Sequence, residues 1–367
     1  MAVTAVDLFC GVGGLTCGLR KAGINVVAGI DLDESCRYAY ESNNRAVFIA
    51  KNIIDVQGYE IDSYFNEKDI KILVGCAPCQ PFSKYTQRYR KEGHKDDKWK
   101  LLYEFKRLIL EIEPTIVSME NVPELIGEQV FLDFVEGLKE INYHVSFSIA
   151  YCPDYGVPQN RKRLVLLASK WGDINLIPPI LSPQKYVSVR KAISKLPPLI
   201  DGEIDTNDPV HCCSKLSKVN KKRIAASVPG GTWKDWSDDL KLSCHKRESG
   251  KGYGAVYGRM NWDEPSPTIT TQFFGYGNGR FGHPEQNRAL SFREGAILQS
   301  FPKKYRFVKK GESINRKELG IHIGNAVPVK LGEAIGITIQ KHIEEYCNGM
   351  EGENDNGRAK ESCRVTN

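Results

Sequence analysis

The sequence predicts an α/β protein: a mostly parallel sheet flanked by helices, with an antiparallel hairpin at one edge, joined to a smaller loop-rich domain. Three observations carry this expectation. Short apolar runs alternate with helix-period stretches over the first 170 residues. The last two apolar runs of that region lie too close together for a crossover helix, so they should pair antiparallel. Beyond Pro178 the chain turns rich in Pro, Gly and Ser, with Pro178-Pro179, Pro197-Pro198 and ten Gly between Gly230 and Gly282, as a loop-rich, β-containing domain would.

Taken in order, Val3 to Phe9, Asn25 to Ile30, Ala46 to Ile49, Ile70 to Gly75, Thr115 to Met119, Tyr143 to Ala150 and Leu164 to Ala168 read as strands. Helical periodicity occupies Gly14 to Ala22, Asp33 to Asn43, Trp99 to Ile112 and Phe131 to Glu140, and returns at Phe292 to Gln299 and Val329 to Ile343. The expected domains are therefore 1–177 for the first part of the sheet domain, 178–290 for the loop-rich domain, and 291–345 for a return segment completing the first. Residues 346–367 are polar and unpatterned, and are expected to form a disordered tail.

Composition narrows the function classes. The chain has 367 residues, 41% hydrophobic and 26% charged, which excludes wholesale disorder and a fibrous rod. No apolar run approaches the roughly 18–20 residues that span a bilayer, and the first residues lack the order of a secretion signal, so a cytoplasmic protein without membrane attachment is expected. Eleven Cys is an odd count; reduced thiols are the expectation. Lys plus Arg (51) exceed Asp plus Glu (45) by six, and Ser182 to Pro302, with 18 basic and 12 acidic residues, carries the same excess alone. Two basic clusters stand out, Lys215, Lys218, Lys221, Lys222 and Arg223, and then Lys303 to Lys310. Each suits a phosphate backbone or a solvated surface.

Asp7-Leu-Phe-Cys-Gly-Val-Gly-Gly14 sets glycines straight after a strand and before a helix. Such a turn either is merely tight or lets backbone approach a ligand at a helix N-terminus. Asp31, at the end of the second strand, could accept both hydroxyls of a ribose. The dinucleotide fingerprint wants a third glycine where Thr16 stands, which disfavours NAD and leaves S-adenosylmethionine, a cofactor without pyrophosphate, as the better candidate.

Cys76 and Cys79 form a CxxC in the loop after the fourth strand. Three readings stand beside each other: a redox pair, half of a zinc site completed by His211, Cys212 or Cys213, and accident. Glu120 ends the apolar run Thr115-Ile-Val-Ser-Met119 and so emerges at the same sheet edge. Arg161 and Arg163 alternate, which on an extended segment turns both to one face.

Five ordered motifs, Asp7 to Gly14, Gly75-Cys-Ala-Pro-Cys-Gln-Pro-Phe-Ser83, Glu120-Asn-Val122, Gln159-Asn-Arg-Lys-Arg163 and Gly324-Asn-Ala-Val-Pro328, together resemble the DNA (cytosine-5) methyltransferases of restriction-modification type. The resemblance runs from about residue 3 to 340, apart from the middle domain. It implies a Rossmann-like, S-adenosyl-L-methionine-dependent catalytic domain with an inserted target-recognition domain, a product S-adenosyl-L-homocysteine, no metal, and double-stranded DNA as partner. A monomer acting at the nucleoid of a bacterium, and a cognate restriction endonuclease acting on the same site, are the further expectations. Cys79 resembles the thiolate that adds to carbon 6 of a flipped-out cytosine, Glu120 the acid at ring nitrogen 3, and Arg163 the arginine that holds the base; Arg161, expected on the same face, is a further catalytic candidate or a solvent-facing basic residue. Phe9, Gly11, Gly13, Asp31, Leu32, Asn52, Ile53, Pro78, Leu101, Asn325 and Val327 resemble the cofactor contacts. Two positions depart from the pattern: Asp31 stands where Glu is usual, and Asn52 where an Asp commonly meets the adenine amino group. Ser83 to Arg107, with nine basic and four acidic residues, resembles the mobile catalytic loop, and Pro265 to Thr271 the close of the recognition domain. Two alternatives remain, a tRNA cytosine-5 methyltransferase and a catalytically silent DNA-binding regulator. The Cys-Phe-Thr signature of the former is absent, and the intact Cys79, Glu120 and Arg163 argue against the latter.

Overall fold

The computed structural model describes residues 2–78, 100–250, 252 and 254–353. In chain order its strands are β1 (Val3–Leu8), β2 (Asn25–Asp31), β3 (Val47–Ala50), β4 (Ile70–Gly75), β5 (Ile116–Asn121), β6 (His144–Tyr151) and β7 (Lys162–Ser169). Its helices are α1 (Gly14–Lys21), α2 (Arg37–Asn44), α3 (Gly58–Asp62), α4 (Lys100–Ile112), α5 (Gln129–Glu140), α6 (Val189–Ile193), α7 (Lys218–Ala225), α8 (Ser243–Lys246), α9 (Phe292–Leu298), α10 (Arg316–Asn325) and α11 (Val329–Glu353). All seven expected strands are present, with ends within two residues of those read from the sequence. The chain divides into two compact units, Met1–Tyr151, Lys162–Pro178 and Val329–Asn367 in the first, Cys152–Arg161 and Pro179–Pro328 in the second.

The first unit is built on one sheet of order β3-β2-β1-β4-β5-β7-β6. Strands β1 to β5 pair in parallel, while β7 runs antiparallel to both β5 and β6. Every residue of β1 and β5 is buried, as expected where helices cover both faces of a parallel sheet. Phe105 of α4 and Phe134 of α5 meet at 5.6 Å between ring centroids over Leu73 and Val117. Reversal of β7 matters most for the site. It sets Leu164 opposite Asn121 and Val165 opposite Glu120, so the beginning of β7 meets the carboxyl end of β5.

Helix α11 returns to this unit and lies on α1. The approach is close because both helices present glycine: a Cβ on Gly18 would fall 2.4 Å from the Val329 carbonyl oxygen, and one on Gly332 would fall 3.0 Å from that of Leu15. The Thr338 hydroxyl accepts from Ile177 N–H at 3.0 Å and His342 Nε2 lies 2.8 Å from the Ser169 hydroxyl. The tail expected from residue 346 falls partly in α11 and otherwise outside the described residues.

The second unit is loop-rich, but among its described residues the β content is confined to isolated bridges such as Gln159↔Ser266 and Arg259↔Gly282. Trp233, Trp236, Ile224 and Tyr276 form a small core. Buried polar side chains do the work that a ladder would otherwise do. Arg259 donates to the carbonyls of Ile224, Ser227, His283 and Gln286. Arg288 makes a two-pronged ion pair with Glu294 at 2.8 and 2.7 Å.

Candidate active site

Parallel strands bring their carboxyl ends to one edge, where ligands of open α/β sheets bind. Register places Gly75 of β4 opposite Met119 of β5, so Cys76 and Glu120 come next, side by side. The Cys76 thiol donates to Glu120 Oε2 at 2.8 Å. Asn121 Nδ2 donates to the Ala77 carbonyl at 3.1 Å. Two side-chain bonds thus tie the segment leading into Cys79 to the end of β5. Glu120 is 2% exposed. Its Oε1 lies 2.8 Å from Arg163 Nε at the start of β7, off the line of the N–H, so the attraction is between charges rather than a formed hydrogen bond. Arg163 Nη1 donates to the Lys162 carbonyl at 2.8 Å. The structure therefore brings together Glu120, Arg163 and the approach to Cys79. Cys79 itself lies outside the described residues, as do Ser83 to Trp99 of the expected mobile loop.

At the same edge the turn from β1 to α1 holds three left-handed residues, Phe9 (φ 59°), Gly11 (49°) and Gly13 (84°). Glycine takes such angles without strain, whereas Phe9 costs about 1 kcal/mol or more. Helix α1 begins at Gly13 with no side-chain cap, and a Cβ on Gly11 would meet nothing within 4 Å. Asp31 accepts from Gly11 N–H at 2.8 Å and from Asp33 N–H at 2.9 Å. Beneath the turn, burial pushes the Asp7 carboxyl up to about 7, against the Thr16 hydroxyl that donates to it at 2.6 Å.

The remaining expected contacts vary in what they offer. Leu32 is exposed at 69%, and Pro78 is exposed at the end of the described loop. Leu101 sits half-buried in the first turn of α4. Asn52 uses Oδ1 to accept from Ile54 N–H at 3.2 Å, starting a short 3₁₀ turn. Ile53 is buried in the main core, and its carbonyl accepts from Arg107 Nη2. Asn325, exposed at the end of α10, and the buried Val327 belong to the second unit.

Arg161 also belongs to the second unit. There it is buried, with Nη1 donating to the Ile269 carbonyl at 3.0 Å and to Gln159 Oε1 at 3.4 Å. Pairing begins at Lys162, so Arg161 precedes the strand on which alternation would have aligned it with Arg163. His211 has both ring nitrogens engaged, with Ser291 at 2.9 Å and the Pro197 carbonyl at 2.8 Å. The Cys213 thiol donates to the Ile200 carbonyl. Neither is free to complete a zinc site with Cys76. The first basic cluster is also divided: Lys221 pairs with Asp201 at 2.9 Å and Arg223 is buried beneath Trp236 and Tyr257, which leaves Lys215, Lys218 and Lys222 exposed. In the second cluster Lys303, Lys304, Arg306, Lys309 and Lys310 are all exposed above buried Phe301, Tyr305 and Phe307.

Sequence reasoning missed three features. The Cys76 contact with Glu120 was signalled by both residues standing one step beyond matched strand ends. The Gln159 amide, which donates to Gln299 Oε1 at 2.9 Å and accepts from Ile269 N–H at 2.8 Å, and the Arg288–Glu294 pair carry no local signal.

Residues 3–341 match the family model of the C-5 cytosine-specific DNA methylases. The chain is 53% identical over 348 residues to the type II methylase M.HgiDII of Herpetosiphon aurantiacus, covering 94% of this chain and 97% of that protein. It is 30% identical to the type II methyltransferase M.Eco47II of Escherichia coli, covering 92% and 78%. Among solved structures, a prophage-encoded DNA modification methyltransferase of E. coli aligns with a TM-score of 0.71 at 21% identity, covering 94% of this chain and all of that one. The Dnmt2 methyltransferase of S. pombe aligns at 0.63 and 15% identity, covering 93% and 99%. At such identities these two likenesses bear on the fold.

Proposed function

The chain belongs to the C-5 cytosine-specific DNA methylases of type II restriction-modification systems, and from that premise we propose how its residues transfer a methyl group within a specific duplex-DNA site. Carbon 5 of cytosine is a poor nucleophile. The Cys79 thiolate adds to carbon 6, forming a carbon–sulfur bond that breaks the ring's aromaticity and makes carbon 5 enamine-like. Glu120 presents a proton at ring nitrogen 3, where negative charge would otherwise build, and Arg163 holds that carboxylate and the base beside it. After transfer, a base, with water the candidate, removes the proton from carbon 5, and the carbon–sulfur bond breaks to return Cys79.

When bound, S-adenosyl-L-methionine would supply the electrophilic methyl group, with S-adenosyl-L-homocysteine as its product. The turn fits that group: the open space over Gly11, the uncapped start of α1 and the Asp31 carboxylate offer what an adenosine with a charged tail requires. Phe9, Gly13, Leu32, Asn52, Ile53, Pro78 and Leu101 would complete the cradle. Cys79 cannot reach a carbon inside a stacked duplex, so the target base must swing out. The exposed lysines of the second unit suit the DNA backbone. A cognate endonuclease would cut the same site and be blocked by the methyl group.

The observation that carries this reading is the pair of bonds joining Cys76 and Ala77 to Glu120 and Asn121, since the expected nucleophile follows that segment by two residues. The test uses labelled S-adenosylmethionine with duplex DNA or tRNA. Labelling of DNA that Cys79→Ala abolishes is the expected result, and labelling confined to tRNA, or none, rejects it. With 5-fluorocytosine in the site the protein should be trapped covalently through Cys79; attachment at another residue refutes the nucleophile.

A further inference from the structure

Cys76 stands three residues before Cys79, and the mechanism above gives it no part. The parallel register carries Cys76 level with Glu120, where its thiol donates to Oε2 at 2.8 Å. The other oxygen faces Arg163 Nε at 2.8 Å without an aligned hydrogen bond. A charge pair of that kind fixes the distance between groups but holds the rotation of a carboxylate weakly, because rotational restraint comes from donors lying along the lone pairs. The thiol supplies that restraint. Separately, the Asn121 amide braces the Ala77 backbone, so loss of the thiol should be felt by the carboxylate more than by the loop.

We propose that Cys76 is a positioning residue for methyl transfer: its thiol fixes the rotation of the Glu120 carboxylate so that Oε1, beside Arg163, is the oxygen presented to ring nitrogen 3 of cytosine. The proposal rests on Glu120 being the acid. Cys76 then serves the reaction through an oxygen atom, and its half of the CxxC needs neither a metal nor a redox role.

The test measures single-turnover methylation, both KM values and the melting temperature for Cys76→Ala, Cys76→Ser, Glu120→Gln and the double variant Cys76→Ala/Glu120→Gln. A thiol is a weak donor to a charged acceptor, so Cys76→Ala should slow the chemical step roughly five- to tenfold. Both KM values should stay within about twofold, because the contact is to the reacting acid and not to bound substrate. Cys76→Ser, which keeps a donor, should recover most of the rate, and in the Glu120→Gln background Cys76→Ala should add no further loss. A wild-type rate in Cys76→Ala overturns the proposal, as do equal defects in the Ala and Ser variants, an undiminished effect in the double variant, or a defect matched by a fall in melting temperature. If Glu120→Gln itself keeps the wild-type rate, the assignment of the acid fails first and the role of Cys76 falls with it.

Discussion

Side-chain caps are commoner at the helix starts of the second unit than at those of the first, although α8 starts at Leu242 without one and Glu60 reaches back to the Gln57 N–H at the start of α3. In the second, α6, α7, α9 and α10 start at Ser188, Ser217, Ser291 and Asn315, each of which accepts a hydrogen bond from the backbone three residues on. In the first, α1, α2 and α5 start at Gly13, Cys36 and Glu128 with no side-chain cap. The contrast extends to buried charge. Glu294, Arg288 and Arg259 of the second unit are used up on one another and on backbone carbonyls, whereas Glu120 of the first is held at a sheet edge by one thiol and one off-axis guanidinium. A sheet satisfies its backbone through its own ladder and so leaves polar side chains over for chemistry. A unit without strands must use them as structure. Removing a buried carboxylate should therefore cost activity in one unit and stability in the other.

The largest effect expected is on the chemistry. Glu120→Gln should slow methylation by about 100-fold or more, the range for losing a general acid, while the melting temperature stays within about 2 °C. A collapse of stability instead would erase the distinction between the units. The converse is Glu294→Gln. It leaves Arg288 buried without its counter-charge, and removal of one member of a buried pair costs about 3–5 kcal/mol. Urea denaturation should show that loss, and a Glu294→Gln protein of full stability but reduced turnover would break the comparison from the other side.

Acid sharpens it further, because buried titrating groups in the two units respond with opposite sign. Burial opposes the charge of Glu294, but Arg288 outweighs it and lowers the group from 4.5 to about 2; burial lowers His283 from 6.5 to about 4. Both groups bind fewer protons folded than unfolded, so the second unit should lose stability as pH falls from about 6.5 towards 2. Asp7 is raised from 3.8 to about 7, chiefly by burial. It binds more protons folded than unfolded, and its contribution becomes unfavourable as pH rises from about 4 to 7. Hydrogen exchange followed from pH 7 to 4 should show protection lost first around His283, and around Arg288 and Glu294 as pH falls below about 4.5. Asp7→Asn should flatten the pH dependence of exchange in β1, and an unchanged slope would reject the assignment.

How much of this was legible in the chain follows the same divide. The strands were readable because a buried parallel strand is a short apolar run, and Glu120 was readable as the residue that ends one. The alternation of Arg161 with Arg163 did not show that Arg161 is buried against the Ile269 carbonyl, since alternation fixes a face only within a strand and β7 starts one residue later. The polar framework of the second unit has no period to read: Gln159 and Gln299 meet across 140 residues of sequence. Nor does a count of lysines show that Asp201 takes one of them, or that Arg223 folds under two aromatic rings.

The smallest effect is the cap. Ser217 accepts from Asn220 N–H at 3.2 Å at the start of α7, whose first turn holds no acidic residue and opens with Lys218. A lysine there opposes the helix dipole, so the serine is the main compensation for that terminus. Ser217→Ala should lower stability by about 1 kcal/mol and leave the methylation rate and cofactor affinity unchanged. Calorimetry beside a single-turnover assay checks both. A fall in rate without a fall in melting temperature would mean that α7 takes part in the reaction cycle, and that the second unit, like the first, keeps polar groups for more than its own backbone.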